Sequence, residues 1–335
     1  MAEFEVSVII PVYKAREYVR EAVESALAQP ETGEVILVED GSPDRSLEVC
    51  KALAEESQRV RLVQHADGKN HGAAASRNLG IRNAHYPFIA FLDADDYYLE
   101  GRFAQTVQVL RSHPCADGVY EAIGAAFEDA DVKDEWAKLP LEEVTTVRRR
   151  VPPEDLFAEL LSGGSGYFHF DGLVVRKQVF ESVGYFNENL KMMEDTDMMY
   201  RLAAKCRLYP GSIDNPVAIR RVHQGNRITK HLLDSRAAYC SIVHLWDELH
   251  KWGRQNLSEY QLFLLSCRHV ERLRKVDYLE DASLSEVFQA RKEMLRIAIS
   301  SPRLLFTGFL WRMMTPSLSY VRNSLQRLRA QKMAG

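Results

Sequence analysis

A chain of 335 residues is about two domains' worth on the usual length prior, and 46% hydrophobic with 27% charged residues excludes a disordered or collagen-like protein. With 43 basic against 47 acidic residues the net charge is −4, so nucleic acid is not an expected partner. The five cysteines (Cys50, Cys115, Cys206, Cys240 and Cys267) are far apart and show neither a CxxC pair nor a zinc-ligand spacing, so they read as reduced thiols.

The first ten residues run into a strand pattern without a basic leader, which argues against a secretory signal. Val6 to Pro11 is a continuous apolar run, as expected of a strand buried on both faces. Tyr18, Val19, Ala22, Val23, Ala26 and Leu27 then repeat with helical period. Val35 to Val38 and Val60 to Val63 read as further strands, with a helix rich in Ala, Leu and Glu between them. A helix over Ala73 to Ala84, a strand at Phe88 to Leu92 and a strand at Val119 to Ala122 follow. Strands alternating with helices predict parallel βαβ units in an open doubly wound sheet. Ligands on such sheets bind at the carboxyl ends of the strands, so the polar residues there are the ones to inspect.

A less regular stretch runs from Glu128 to Pro153, followed by the Gly163 to Gly166 segment (GGSG) and a short strand at Leu173 to Val175. Glu194 to Ala204 reads as a helix and Val217 to Val222 as a strand. From His231 the pattern is helical only, which sets a boundary near 230 between an α/β domain, 1–230, and a helical region, 231–335. No stretch reaches the roughly 20 apolar residues needed to span a bilayer, so the expected location is cytoplasmic.

Four strand or helix ends carry suggestive polar groups: Pro11-Val12-Tyr13, Glu39-Asp40-Gly41-Ser42, Ser76-Arg77-Asn78 and Asp93-Ala94-Asp95-Asp96. On an extended chain Asp93 and Asp95 point the same way. Such paired carboxylates suit a hard divalent cation such as Mn²⁺ or Mg²⁺. On the motif alone, acids that merely cap a following helix are an equal alternative.

The ordered set VSVIIPVY, ILVEDGS, HGAAASRNLGI and YPFIAFLDADD resembles the family 2 glycosyltransferases of the GT-A fold. Gly184 to Glu188 and Met193 to Asp197 look like that family's GFDE and ED segments, and Arg220 to His223 like its later Arg/His segment. A GxGxxG fingerprint and a GxxxxGK[ST] loop are both absent.

The resemblance implies a nucleotide-diphosphate sugar donor, UDP-linked by the family's habit. Asp40 then matches the residue that contacts the base, with Glu39 standing where the family often has Asp. Pro11, Val12 and Tyr13 match the wall of the nucleotide pocket, and Arg77 a residue approaching the nucleotide. Asp95 matches the main metal ligand, with Asp93 beside the ribose or metal and Ala94 between them. His223 matches a histidine that meets the diphosphate or metal. Arg220, Arg221 and Arg227 are near enough in sequence to offset diphosphate charge. Asp96 reads as the start of the next helix. Asp195 matches the catalytic base and Glu194 an acceptor contact. The GGSG segment with Tyr167-Phe168-His169-Phe170 suits an acceptor-side loop with aromatic faces.

The implied activity is an inverting, metal-dependent glycosyltransferase of hexosyl or N-acetylhexosaminyl type. Its acceptor would be a glycan or a lipid-linked molecule in surface polysaccharide synthesis. A nucleotidyltransferase would carry a Gly-rich first loop with a lysine, which PVYKAREY lacks. The alternative from another class is a catalytically silent nucleotide-sugar-binding module, and intact Asp93, Asp95 and Asp195 argue against it.

From Met294 onward there are seven basic residues (Arg296, Arg303, Arg312, Arg322, Arg327, Arg329 and Lys332) and no acid. Ser301-Pro302 and Thr315-Pro316 each look like a helix N-cap with proline at the first helical position. Basic residues beside apolar faces of this kind are what interfacial helices use to lie on anionic lipid. The expectation is peripheral contact with the inner face of the membrane. The competing expectation is packing of the same faces on the catalytic domain or on a second copy of the chain, a homodimer.

Overall fold

The computed structural model describes residues 4–139, 141–226, 231, 234–279 and 282–301. The chain forms two compact units, Met1–Asn226 and Arg227–Gly335. In the first, β1 (Val6–Val12), α1 (Val19–Leu27), β2 (Thr32–Glu39), α2 (Ser46–Glu56), β3 (Val60–Gln64), α3 (Ala73–Asn83) and β4 (Phe88–Phe91) alternate as the sequence predicts. The elements that follow are β5 (Tyr97–Tyr98), α4 (Ala104–Ser112), β6 (Gly118–Tyr120), β7 (Ile123–Phe127), α5 (Ala130–Trp136), β8 (Val144–Thr145) and α6 (Pro153–Ser162). The unit ends with β9 (Leu173–Arg176), α7 (Val179–Val183), α8 (Glu194–Lys205), β10 (Leu208–Pro210) and β11 (Ala218–Val222).

The seven-stranded sheet has the order β10-β6-β9-β4-β1-β2-β3. It is parallel except at β9, which runs antiparallel to both neighbours. The doubly wound sheet follows from β1, where Val8, Ile9 and Ile10 are all fully buried. Val8 and Ile10 belong to the core built with α1 and α2. Ile9 faces α3, so closely that a Cβ on Gly80 would meet its Cγ2 at 2.4 Å. Apolar side chains sequestered on both faces stabilise the central strand by about 1.5–3 kcal/mol each.

A smaller sheet has the order β5-β11-β7-β8. The expected strand at Val119 to Ala122 is split. Its first part is β6 in the large sheet, and the chain then crosses to β7. The crossing point is Glu121, fully buried and held by Arg102 Nη1 at 2.7 Å and Thr106 Oγ1 at 2.8 Å. A buried, paired carboxylate at this corner ends one strand without any Gly or Pro signal. The irregular stretch after Glu128 contains α5, capped by Asp129, whose Oδ1 accepts the Val132 N–H at 2.8 Å. That helix buries only Val132 and Trp136, too few positions to give a legible period.

The second unit is helical where described. It contains α9 (Ser235–Asn256), α10 (Glu259–Leu273) and α11 (Leu284–Ser300), with a short 3₁₀ turn (Arg274–Tyr278) between the last two. Asp234 caps α9, and Ser258 with Gln261 and Ser283 with Glu286 form reciprocal capping boxes on α10 and α11. Among the described residues no helix is long and apolar enough to cross a membrane. The basic segment beyond Ser301 and Arg227 lie outside the described residues.

Candidate active site

The predicted residues at the ends of β1, β2 and β4 sit at the carboxyl edge of the sheet, where an open α/β fold receives its ligand. Val12 is buried and its carbonyl accepts the Asp40 N–H at 2.9 Å, which ties the ends of β1 and β2 together. Tyr13 is 45% exposed with Lys14 Nζ 5.3 Å from its ring centroid, an aromatic face open to a base or sugar. Pro11 is half-buried.

Glu39 and Asp40, matched by the resemblance to nucleotide contacts, also hold the protein around them. Both are buried, and both carboxylates are committed to protein donors. Glu39 Oε1 accepts the Ser42 N–H at 2.6 Å and Oε2 accepts Gln64 Nε2 at 2.8 Å. Asp40 Oδ1 accepts the His71 N–H at 2.7 Å, and its Oδ2 accepts Asn70 Nδ2 and the Gly72 N–H, each at 2.8 Å. The pair therefore fixes the 68–72 loop over the end of β2. Gly41 is required there, with φ +64 and a would-be Cβ only 2.7 Å from Asn70 N.

Arg77 lies in an ionic bridge at the site. It is buried and bridges two acids: Nη2 donates to Asp93 Oδ1 at 2.8 Å and Nη1 to Glu194 Oε1 at 3.1 Å. Its guanidinium lies 5.5 Å from the Phe186 ring centroid. The neighbouring Asp93 and Glu194 charges raise the Arg77 pKa against the cost of burial. Arg77 thus joins the end of β4 to the start of α8. Glu194, the implied acceptor contact, is buried in this bridge. A lysine cannot hold both carboxylates in one plane. Arg77→Lys is expected to lose one charged hydrogen bond, costing about 1.5–3 kcal/mol, and a lower Tm in a calorimetric scan checks it.

The Asp93 to Asp96 segment departs from the expected alternation. Strand β4 stops at Phe91, and the chain turns through Ala94 and Asp95, closed by Asp96 N–H to the Asp93 carbonyl at 3.1 Å. Asp93 and Asp95 consequently meet different partners. Asp95 Oδ2 lies 3.1 Å from His223 Nε2 and accepts Asn226 Nδ2 at 3.2 Å. Asp93 groups with His169 and Asp171, whose ligand atoms all lie within 4.8 Å of one another. Asp95 is part-exposed, and among the described residues its Oδ1 takes no protein hydrogen bond. An acceptor-only oxygen with a nearby imidazole fits a divalent cation that keeps positions for phosphate oxygens.

Asp96 does not start a helix. It is buried, opens β5 and accepts the Arg221 N–H at 2.8 Å. Burial raises its carboxyl well above the usual range, and the nearby Asp171 and Asp95 charges add to this. Burial also opposes the charge on Asp171, yet His169 and the hydrogen bond from Asp96 hold that carboxyl below its ordinary value. Asp171 Oδ1 also accepts the Asp93 N–H at 3.1 Å, and its carbonyl accepts Arg102 Nε at 3.1 Å. Asp171 and Asp96 therefore brace the turn that presents Asp95. Sequence reasoning missed Asp171; the one signal was an acid inside the aromatic run Phe168-His169-Phe170-Asp171. Of the aromatics expected to face an acceptor, Phe168 and Phe170 are buried and only Tyr167 is exposed.

Asp195 is the second residue of α8, part-exposed, with Oδ1 accepting the Thr196 N–H at 2.6 Å. Met193 before the helix adopts φ 65, a left-handed conformation costly for a side chain of this size. That strain sits directly ahead of Glu194 and Asp195, and Arg77 feels the charges of both acids. Arg221 spans from Glu21, met by Nη2 at 2.6 Å, to the Asp95 carbonyl, met by Nε at 3.1 Å, with its guanidinium 5.2 Å from the Tyr18 ring. Arg220 lies 5.8 Å from the Trp136 ring.

A family model described as Glycosyl transferase family 2 matches residues 7–184. The chain is 30% identical over 213 residues to the succinoglycan biosynthesis protein ExoU of Rhizobium meliloti (strain 1021), covering 62% of this chain and 59% of that protein. It spans only 38% of the length of the rickettsial glycosyltransferases that it matches at 30% and 28% identity. Its fold resembles that of S. aureus TarS 1-349, with a TM-score of 0.65 and 16% identity, over 99% of this chain and 92% of that one. TarS 1-349 has also been solved with UDP-GlcNAc. A mannosyltransferase of Pyrobaculum calidifontis, solved with GDP-Man and Mn²⁺, matches at a TM-score of 0.51 and 16% identity, over 97% of this chain and 87% of that chain. These structures establish the GT-A architecture of the sheet and its helices.

Proposed function

The chain belongs to glycosyl transferase family 2, and from that premise we propose that it moves a sugar from a UDP-linked donor to a hydroxyl of a glycan or lipid-linked acceptor, with inversion. The observation that carries this reading is Arg77, which links the donor-side turn at Asp93 to the helix start bearing Asp195. Tyr13 offers its ring to the base at the mouth of the loop held by Glu39 and Asp40. Asp95, with His223 beside it, would hold Mn²⁺ or Mg²⁺. When bound, the metal supplies positive charge to the departing diphosphate. The Asp195 carboxylate takes the proton of the acceptor hydroxyl as that oxygen bonds to the anomeric carbon, and the sugar–diphosphate bond breaks on the opposite face. One carboxylate suffices, because attack and departure form a single displacement.

Surface polysaccharide synthesis is the setting supported by the likeness to ExoU. A lipid-linked acceptor would be met at the inner face of the membrane. The fold is known with both UDP-GlcNAc and GDP-Man, so the donor test uses a panel containing both. The purified chain is expected to release UDP slowly from one UDP-sugar in Mn²⁺ without acceptor, and EDTA should stop it. Donor-induced thermal stabilisation with no release from any donor would favour a silent binding module instead.

A further inference from the structure

Helix α11 buries one face and leaves the other bare. Val287, Ala290, Met294, Ile297 and Ala298 are buried within the helical unit. The opposite stripe carries Phe288 at 67%, Leu295 at 46% and Ile299 at 67% exposure. Among the described residues, this single helix holds three of the eight large apolar side chains left exposed. Spacings of seven and four residues put them on one line along the helix, with Lys292 and Arg296 exposed on the same line. Glu293 pairs with Arg296 at 3.5 Å from the flank, and Glu286 is engaged by Arg236. The exposed stripe itself carries no acid.

We propose that this face of α11 docks on an anionic lipid surface. Large apolar groups alternating with cations on one helical face suit the headgroup boundary, where the apolar groups enter the acyl region and the cations remain among phosphates. Charge complementarity continues along the chain. The 34 residues after Ser301 contain six basic side chains and no acid, in a protein that is net acidic. An anionic bilayer meets Lys292 and Arg296 with the opposite charge. The inference rests on the membrane-side reading of the acceptor and supplies its structural element.

Flotation of the full chain with phosphatidylcholine vesicles, with and without phosphatidylglycerol, tests it at low salt. The chain is expected to float with the anionic vesicles and remain behind with the neutral ones. Lys292→Glu/Arg296→Glu should lower partitioning by about thirtyfold or more, since two basic residues near such a surface each contribute about 1 kcal/mol, and Phe288→Ser/Ile299→Ser by about tenfold or more through lost apolar insertion. Both pairs are surface changes, and unaltered thermal melts would confirm that the variants fold. Equal flotation of variants and parent would overturn the proposal, leaving binding to the segment after Ser301. Failure of the parent to float would overturn it too, as would lipid-free self-association that the variants abolish. UDP release measured without vesicles separates the two readings: it should be the same in every variant, and its absence in a chain that floats counts against the glycosyltransferase reading alone.

Discussion

Asp195→Asn is expected to reduce turnover by about 10²–10⁴-fold while donor affinity persists. The amide keeps the shape of the carboxylate and can still receive the Thr196 N–H, so the start of α8 should hold. It cannot take the acceptor's proton, so the attacking oxygen remains a neutral hydroxyl. The Arg77 bridge uses Glu194 and not Asp195, so the substitution leaves the Asp93 side of the site untouched. Single-turnover rates with a saturating donor, paired with a thermal-shift titration of that donor, separate the effects. A parallel loss of donor affinity and turnover would assign Asp195 to holding the site and remove it as the base.

Much of the sheet was legible because β1, β2 and β4 are buried on both faces, which leaves continuous apolar runs such as Val35 to Val38. The site was legible as motifs and less so as contacts. The Ser76-Arg77-Asn78 and Gly184 to Glu188 segments both stand out in the sequence, but nothing there says that they touch. In the fold Asn78 Nδ2 donates to the Phe186 carbonyl at 3.0 Å, and Asn78 Oδ1 accepts the Phe186 N–H at 2.8 Å. Their partnership comes from folding elements 108 positions apart onto one edge of the sheet. The period-two expectation for Asp93 and Asp95 failed for a local reason, since the strand ends at Phe91 and a turn re-aims both carboxylates. Asp171 was hidden because its work is done on a backbone N–H and through its own carbonyl to Arg102, neither of which has a sequence signature.

Asp95→Ala is expected to abolish Mn²⁺-dependent nucleotide binding with a modest loss of stability in the unliganded fold. Asp95 is part-exposed at the tip of its turn, and its contacts to His223 and Asn226 join groups that water can serve in its absence. Loss of part-buried hydrogen bonds of this kind costs about 0.5–1.5 kcal/mol each. The turn itself is braced from beneath by Asp171 on the Asp93 N–H and by the Arg221 N–H on Asp96, contacts that the substitution does not touch. The liganded state should lose more. A nucleotide present at about 100 times its Kd stabilises the parent by about 2.7 kcal/mol, and that increment should vanish in the variant. Two groups near this turn could receive a cation, one at Asp95 with His223 and one at Asp93 with His169 and Asp171. A thermal shift with UDP, run with and without Mn²⁺, distinguishes them without any need for turnover. Retention of the Mn²⁺-dependent shift in Asp95→Ala would move the cation to the Asp93 group, and its loss in Asp95→Ala but not in Asp171→Asn fixes it at Asp95. The second outcome is expected, because Asp93 Oδ1 is spent on Arg77 and Asp171 is fully buried with Oδ1 on the Asp93 N–H, whereas part-exposed Asp95 has His223 Nε2 3.1 Å from its Oδ2 and an Oδ1 that takes no protein hydrogen bond among the described residues.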